Sequence, residues 1–324
     1  MTKLLEIREF VKNFYAKYEN FIVPVLKFLL AFITFLMINA KLGFMEKFAK
    51  FPIALILALL CSFLPLNFLV LAASAMSLLH IYALSKEAAL VVGIVFIILF
   101  LLYFRFSPKD SVVAVVLPIC FALKIPCAVP LTAGLLGSPG TCVSVGCGVI
   151  AYYCLHFIAG ISKSGSEAKM TEMATKLKSI IEGIVTNKGM MVAVVAFVAA
   201  TLVVYLVRRM NIDHAWTIAM IVGALLNVLI LFVGDLALNT QVPVLGTIIG
   251  TIIGFAVAYV VKFFAFNLDY ARTEKVQFED DDYYYFVKAV PKVTLSTSER
   301  KVKKVKAVND NTDKEDGKNR KSGK

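Results

Sequence analysis

The sequence predicts an all-α polytopic membrane protein, and three observations carry that prediction. Hydrophobic residues make up 59% of the chain and charged residues 17%, with a mean hydropathy of +0.80. The apolar residues lie in long blocks, several of which have the roughly 20 residues that a helix needs to cross a bilayer. Lipid requires every backbone amide to be paired internally, and these blocks lack the alternating pattern of barrel strands, so they must be helices.

Full transmembrane helices are expected in six of the blocks: 21–40, 87–106, 140–160, 189–207, 214–236 and 243–266. Ahead of them, Leu4, Ile7, Phe10 and Phe14 recur at helical spacing among lysines, which is typical of an amphipathic helix on a membrane surface. The chain then divides into an amphipathic N-terminal helix at 1–20, a transmembrane domain at 21–266, a juxtamembrane segment at 267–298 and a disordered basic tail at 299–324.

Two further apolar blocks, 51–85 and 111–140, are interrupted. Pro65-Leu66-Asn67 breaks the first block, and Lys124-Ile125-Pro126 and Pro130 break the second. Such blocks are too short for two crossings of roughly 20 residues and too long for one. We expect two re-entrant or broken helical hairpins, which brings the total to about 8–10 membrane segments. The alternatives are short true crossings, or ordinary helices kinked by proline and glycine.

The two interruptions resemble each other, because Cys61 precedes Pro65 and Cys120 precedes Pro126, and a full helix follows each. Hairpins that enter from opposite sides would form an inverted repeat. Many secondary transporters build their substrate sites from such discontinuous helices. The pattern therefore predicts a substrate pathway at Pro65, Asn67, Lys124, Pro126 and Pro130.

Lys124 is a basic residue between strongly apolar flanks. An ionisable side chain deep in a membrane is typical of a substrate pathway, where a lysine neutralises an anionic substrate or headgroup. In a shallow hairpin the same side chain would instead extend to the lipid headgroups. The sequence leaves both interpretations open.

Glycines recur at every fourth position in the last apolar block, at Gly246, Gly250 and Gly254. This spacing places a groove on one helix face, where another helix can approach closely. The neighbour is either a segment of the same chain or a second copy in a homo-oligomer.

The chain lacks the sequence signatures of an enzyme: it has no Walker A loop, nucleophile elbow, zinc-protease motif or dinucleotide fingerprint. His80, His156 and His214 each stand without a second ligand at helical spacing, so we expect no metal site. The six cysteines lie in or beside apolar segments and are expected to be membrane-buried side chains. We therefore expect no catalytic residues and no cofactor.

Lysine and arginine near the helix ends predict that both termini are cytoplasmic. Arg105, Lys109, Arg208 and Arg209 share one side with the basic tail in this arrangement. Two loops on the other side do not fit the rule: one has Lys41, Lys47 and Lys50, and the other has Lys163, Lys169, Lys176, Lys178 and Lys188. The tail is expected to bind anionic lipid. Nucleic acid is not expected as a partner, because no stacking aromatics are interleaved with the tail lysines.

The segment Phe278–Lys292 follows an acidic run and is rich in aromatic residues and valine. This composition favours an extended strand that docks on a protein partner or on the chain's own membrane domain. The stretch from Tyr270 to Lys292, under a tenth of the chain, resembles the C-terminal end of an uncharacterised family of multi-pass membrane proteins of low-GC Gram-positive bacteria, loosely labelled permeases. That resemblance implies a bacterial plasma membrane and no assigned chemistry.

Two functions follow from these patterns. The first is a transporter or permease with its pathway at the paired broken helices. The second is a membrane scaffold or anchor that recruits a partner through its cytoplasmic C-terminal segment.

Overall fold

The structure is a computed structural model that describes residues 2–164, 173–240, 243–265, 274–279 and 284–289. Within those ranges the chain forms eleven helices: α1 Thr2–Lys41, α2 Phe51–Phe63, α3 Leu66–Leu84, α4 Lys86–Phe106, α5 Ser111–Ala122, α6 Ala128–Leu136, α7 Thr141–Ser164, α8 Met173–Val185, α9 Lys188–Arg208, α10 Ala215–Leu238 and α11 Val244–Ala265. Two strands follow, β1 Glu274–Glu279 and β2 Tyr284–Ala289.

Seven helical stretches in the described chain are long and apolar enough to cross a membrane: Glu6–Lys41, Leu66–Leu84, Lys86–Phe106, Thr141–Ser162, Met173–Arg208, Ala215–Leu238 and Leu245–Ala265. They include all six full spans expected from the sequence, and the predicted fold class is confirmed. Leucines such as Leu101, Leu225 and Leu236 are largely exposed on these helices. Such surfaces suit lipid, because a soluble protein rarely exposes apolar patches of this extent.

Helix α1 combines the predicted surface helix with the first crossing. Its backbone leaves helical geometry at Tyr18, with φ −115° and ψ 21°, close to the expected boundary at residue 20. Before that point Ile7, Phe10 and Phe14 are exposed. These residues occupy one face of the N-terminal part, as an amphipathic surface helix requires.

The first broken block forms two antiparallel helices that run between the faces of the domain. At one end, Ser62 Oγ donates to the Pro24 carbonyl across 2.8 Å, which places the end of α2 beside the start of the membrane part of α1. At the other end, His80 Nε2 lies 3.0 Å from Asn39 Oδ1, so α3 ends beside the end of α1. Of these two helices, α3 is long enough to cross a membrane, whereas α2, with 13 residues, is shorter than a full crossing.

The second broken block forms the expected re-entrant hairpin. Thr141 Oγ1 donates to Asp110 Oδ2 across 2.6 Å and accepts from the Ser138 amide at 2.9 Å. Asp110 precedes α5 and Ser138 follows α6, so the hairpin enters and leaves at the first turn of α7. Arg208 Nη2 fixes the exit further by donating to the Gly137 carbonyl across 2.6 Å.

We call the end of the domain that carries Pro24, Asp110 and Thr141 the proximal face, and the end that carries Lys41 and Lys86 the distal face. The chain alternates between the two faces along α1, α2, α3, α4, α7, α9, α10 and α11, of which α2 is shorter than a full crossing. The membrane part of α1 therefore begins, and α11 ends, at the proximal face. The Arg8 guanidinium, which lies 5.7 Å from the centre of the Phe263 ring, joins these two ends directly.

The two broken blocks share an interruption but differ in length and path. Helices α2 and α3 have 13 and 19 residues, whereas α5 and α6 have 12 and 9. Their likeness in sequence therefore extends to the break and not to the two helices around it. An inverted repeat relating the blocks stays a prediction.

Two elements lie outside the crossings. Helix α8 lies between α7 and α9 in the chain and buries Ile180 and Ile184. Strands β1 and β2, in a separate compact unit, form an antiparallel hairpin in which Glu274 pairs with Ala289 and Glu279 with Tyr284. They fall within the juxtamembrane segment, whereas the basic tail at 299–324 lies outside the described residues.

Candidate functional site

The re-entrant hairpin ends inside the membrane domain, against α11. A Cβ atom added to Gly250 would lie 2.5 Å from the Lys124 carbonyl oxygen, and one added to Gly254 would lie 2.8 Å from the Ala128 nitrogen. Only glycine permits such an approach. A Cβ at Gly246, by contrast, would meet only Pro243 at 3.6 Å. The predicted groove is therefore occupied by a segment of the same chain, and Gly246 takes no part in it.

Lys124 forms the turn between the two arms of the hairpin. Its φ of +60° lies in the left-handed region, which costs a residue with a side chain roughly 1–2 kcal/mol. The arm α5 has 12 residues and spans about 18 Å, more than half of a hydrocarbon core of about 30 Å. The Lys124 backbone therefore lies deep, while its side chain is exposed.

Polar side chains meet at the start of α6, beside the tip. The Cys127 thiol lies near the side chains of Thr251 on α11 and Asn227 on α10. Asn227 is 1% exposed, and its Oδ1 atom has no hydrogen-bond donor among the described residues. An unpaired buried acceptor costs about 1–3 kcal/mol. Such an atom in the middle of a membrane domain marks a place where a polar ligand or water would be stabilised.

A cavity of about 140 Å³ lies on the other side of α5, between that helix and α1, α3, α4 and α7. Its proximal end is closed by Tyr103, which is 2% exposed. The Tyr103 hydroxyl donates to Asn67 Oδ1 at 2.7 Å and lies 3.1 Å from the Pro108 carbonyl oxygen. The distal end is lined by Lys41, Tyr152 and His156, of which His156 is exposed.

The middle of the cavity offers almost no polar group. Its serine and threonine hydroxyls each donate to a carbonyl of the preceding turn of their own helix: Thr34 to Leu30, Ser74 to Leu71 and Ser77 to Ala73. Because these donors are used within the helices, the wall between the two ends is effectively apolar.

The distal end of the cavity is built around the Tyr152 ring. Lys41 Nζ lies 4.4 Å from the ring centre, a cation–π contact. The same ring stacks on Phe121 of the hairpin at 4.3 Å and on His156 at 5.7 Å. Tyr152 thus connects the cationic end of the cavity to the last turn of α5.

The predicted pathway residues do not come together in one site. Pro65 and Asn67 lie at the proximal turn between α2 and α3, whereas Lys124 and Pro126 lie at the hairpin tip and Pro130 is buried in α6. None of the five lines the cavity. Asn67 contributes to it indirectly, through its bond to the Tyr103 hydroxyl.

The sequence interpretation missed Lys41, Tyr103, Tyr152 and His156. These residues belong to three helices that are far apart in the chain, so no local spacing connects them. One signal was present: Lys41, Lys47 and Lys50 did not fit the expected charge distribution. The Lys41 ammonium lies over the Tyr152 ring.

His80 has a different environment from the other two histidines. Its side chain is fully buried, and its Nδ1 atom accepts from the Met45 amide at 3.2 Å while Nε2 faces Asn39 Oδ1. The ring thereby fastens the loop after α1 to α3. Within the described ranges, no group of three His, Cys, Asp or Glu side chains is placed to hold a metal ion.

No family model, curated protein or solved structure matches this chain. The geometry of the hairpin and the cavity therefore supplies the argument about function.

Proposed function

We propose that this multi-pass membrane protein is a transporter of permease type, whose substrate passes along the re-entrant hairpin α5–α6. The observation that carries the proposal is a helix pair that enters from the proximal face and turns deep in the membrane. Irregular backbone at that depth is tolerated where it is buried in protein or lines a wet cavity. Transporters use such interrupted helices to present backbone groups to a substrate near the midplane.

The surroundings of the hairpin support this proposal on both sides. On one side, the Asn227 carbonyl has no donor among the described residues, beside the N-terminal end of α6. On the other side, α5 forms a wall of the cavity through Val115 and Pro118. A proline within a helix frees a backbone carbonyl and weakens the helix locally, so α5 is suited to move.

The test compares two glycines of α11 in protein reconstituted into liposomes. A panel of small solutes and single-chain lipids is scored for movement above that of protein-free liposomes. Gly254→Ala should slow the movement roughly 5- to 150-fold, since overpacking against Ala128 costs roughly 1–3 kcal/mol. The matched control Gly246→Ala, whose Cβ has space, should keep the wild-type rate.

Two outcomes would contradict the proposal, the first excluding transport and the second excluding a pathway along the hairpin. One is that wild-type protein, shown to be folded by its melting transition, moves no member of the panel. The other is that both glycine variants move solute at the wild-type rate.

The location belongs to the same proposal: a bacterial plasma membrane, with the proximal face and both termini in the cytoplasm. The C-terminal resemblance and the basic residues Arg105, Lys109, Arg208 and Arg209 at the proximal helix ends support it. Attraction of the basic tail to anionic lipid would then act at the cytoplasmic surface.

A second candidate function is a scaffold that recruits a protein partner. The observation that favours it is the β1–β2 hairpin, because a two-stranded sheet alone is marginally stable in water. Its outer edges can accept a further strand from a partner, as in β-augmentation. Phe278–Lys292, the segment expected to bind a partner, includes all of β2.

A further inference from the structure

The cavity between α1, α3, α4, α5 and α7 is lined by apolar side chains over most of its length and by a cationic side chain at its distal end. From Tyr103 to the level of Phe96 the wall is formed by apolar side chains and by hydroxyls already bonded within their helices. The distal end carries the Lys41 ammonium. A molecule that matches both parts must have a hydrocarbon portion and a head at its distal end.

The Lys41 ammonium is held in a setting that favours an anion. The side chain is half-buried, and its ammonium lies over the Tyr152 ring. Among the described residues Lys41 forms no ion pair with a carboxylate. A partly desolvated cation gains most from an anionic partner that can approach it directly.

The size of the cavity limits how much of a ligand's hydrocarbon portion can enter it. A cavity of about 150 Å³ holds one benzene-sized group, and this one has about 140 Å³. It therefore takes part of a single hydrocarbon chain and not two chains side by side. The remainder of a long chain must extend between the lining helices.

We infer that the cavity binds a single-chain amphiphile with an anionic head, either a carboxylate or a phosphate monoester, with the head at Lys41 and the chain directed toward Tyr103. The inference rests on the proposed function, since it names the substrate class for the hairpin and its cavity. A carboxylate and a phosphate monoester share the acceptor oxygens and the negative charge that the ammonium recognises.

The experiment measures binding, so it does not depend on transport. Protein in nanodiscs of neutral phosphatidylcholine is photolabelled with a palmitate analogue that carries a diazirine in its chain. Palmitate, hexadecyl phosphate, hexadecanol, hexadecyltrimethylammonium and inorganic phosphate then compete with the probe. The labelled residues are located by mass spectrometry.

Labelling is expected on cavity residues such as Phe96 and Phe100. Palmitate and hexadecyl phosphate should compete at least about tenfold better than hexadecanol, because one charge-assisted hydrogen bond raises affinity by about that factor. The cationic amphiphile and inorganic phosphate should compete worse still. Lys41→Gln should lower the potency of the two anions about tenfold and leave hexadecanol unchanged, which also shows that the variant is folded.

Matched variants distinguish the effect of the Lys41 charge from the effect of another positive charge on the same face. Lys41→Arg should keep the preference for anions, and Lys47→Gln, in the exposed loop on the same face, should bind as the wild type does. Equal potency of palmitate and hexadecanol, an unchanged preference in Lys41→Gln, or labels outside the cavity would each overturn the inference. Competition by inorganic phosphate as strong as that by hexadecyl phosphate would overturn it too, because the site would then recognise a small anion.

The outcomes for binding and transport are distinguishable. Binding without movement in liposomes would contradict the proposed function and leave the ligand class standing. Movement of other solutes, without binding of an anionic amphiphile, would contradict the ligand class alone.

Discussion

At the scale of single residues, His80 shows how a polar side chain can be satisfied inside a membrane domain. Its two ring nitrogens meet the Met45 amide and the Asn39 side chain, so a neutral imidazole satisfies one backbone donor and one amide oxygen. Buried polar groups of this kind are stabilising only when every member is paired. The contrast with Asn227, whose oxygen has no described donor, separates a structural polar group from a candidate binding group.

The first residue-scale prediction follows from that pairing. His80→Phe keeps an aromatic ring but leaves Met45 and Asn39 without their partner, which should destabilise the protein by about 2–3 kcal/mol. The measurement is the thermal midpoint in nanodiscs. His214→Asn, at an exposed position with φ +62° that asparagine tolerates, is the control. Equal midpoints for the two variants would show that the His80 bonds contribute nothing measurable.

At the scale of elements, the sequence predicted the positions at which helices are interrupted but not the structure that each interruption forms. Pro65 and Pro126 both follow a cysteine at short spacing, yet one lies at a turn at the proximal face and the other at a hairpin tip. The difference comes from partners that are distant in the chain. Ser62 donates a hydrogen bond to the Pro24 carbonyl, whereas the backbone of Lys124 and Ala128 packs against the glycines of α11.

The topology prediction tests that difference directly. In a background without the six native cysteines, Pro65→Cys and Lys109→Cys should react with a membrane-impermeant maleimide from the same side. Lys47→Cys should react from the other side. If the proximal face is cytoplasmic, Pro65→Cys and Lys109→Cys will label only in inverted vesicles. Protection of Pro65→Cys from both sides would mean that the first block is also re-entrant.

Prediction from the sequence was most complete for the long crossings and least complete for the site. Helices such as α4 and α10 are specified by their own uninterrupted composition, so their positions were predicted within a few residues. The cavity is assembled from Lys41, Tyr103 and Tyr152, which meet only after several helices have packed. The glycine groove was the exception, because Gly250 and Gly254 carry their spacing within one helix.

At the scale of the whole molecule, the described membrane helices place the start of the membrane part of α1 and the end of α11 at one face. The two proposed functions use different parts of this arrangement. Transport requires residues between α1 and α11, whereas a scaffold requires the segment after Asn267.

Truncation after Asn267 separates the two functions. A transporter should keep at least part of its rate in liposomes, because the hairpin and cavity remain in place. A scaffold should lose every partner that co-purifies with the full chain in cross-linked membranes. A truncated protein that keeps its co-purifying partners would exclude recruitment by the segment that contains β1 and β2.

The Tyr152 ring, shared by Lys41 and Phe121, has a thermodynamic consequence. If an anion draws the Lys41 ammonium off the Tyr152 ring, the stacking of that ring on Phe121 at the end of α5 changes as well. Anion binding at Lys41 and the position of the hairpin are therefore linked. Linkage is reciprocal, so the position of the hairpin must alter affinity at Lys41 by the same factor. A cation–π contact of about 0.5–2 kcal/mol limits that factor to about 30-fold, enough to bias the hairpin between two positions without locking it in either.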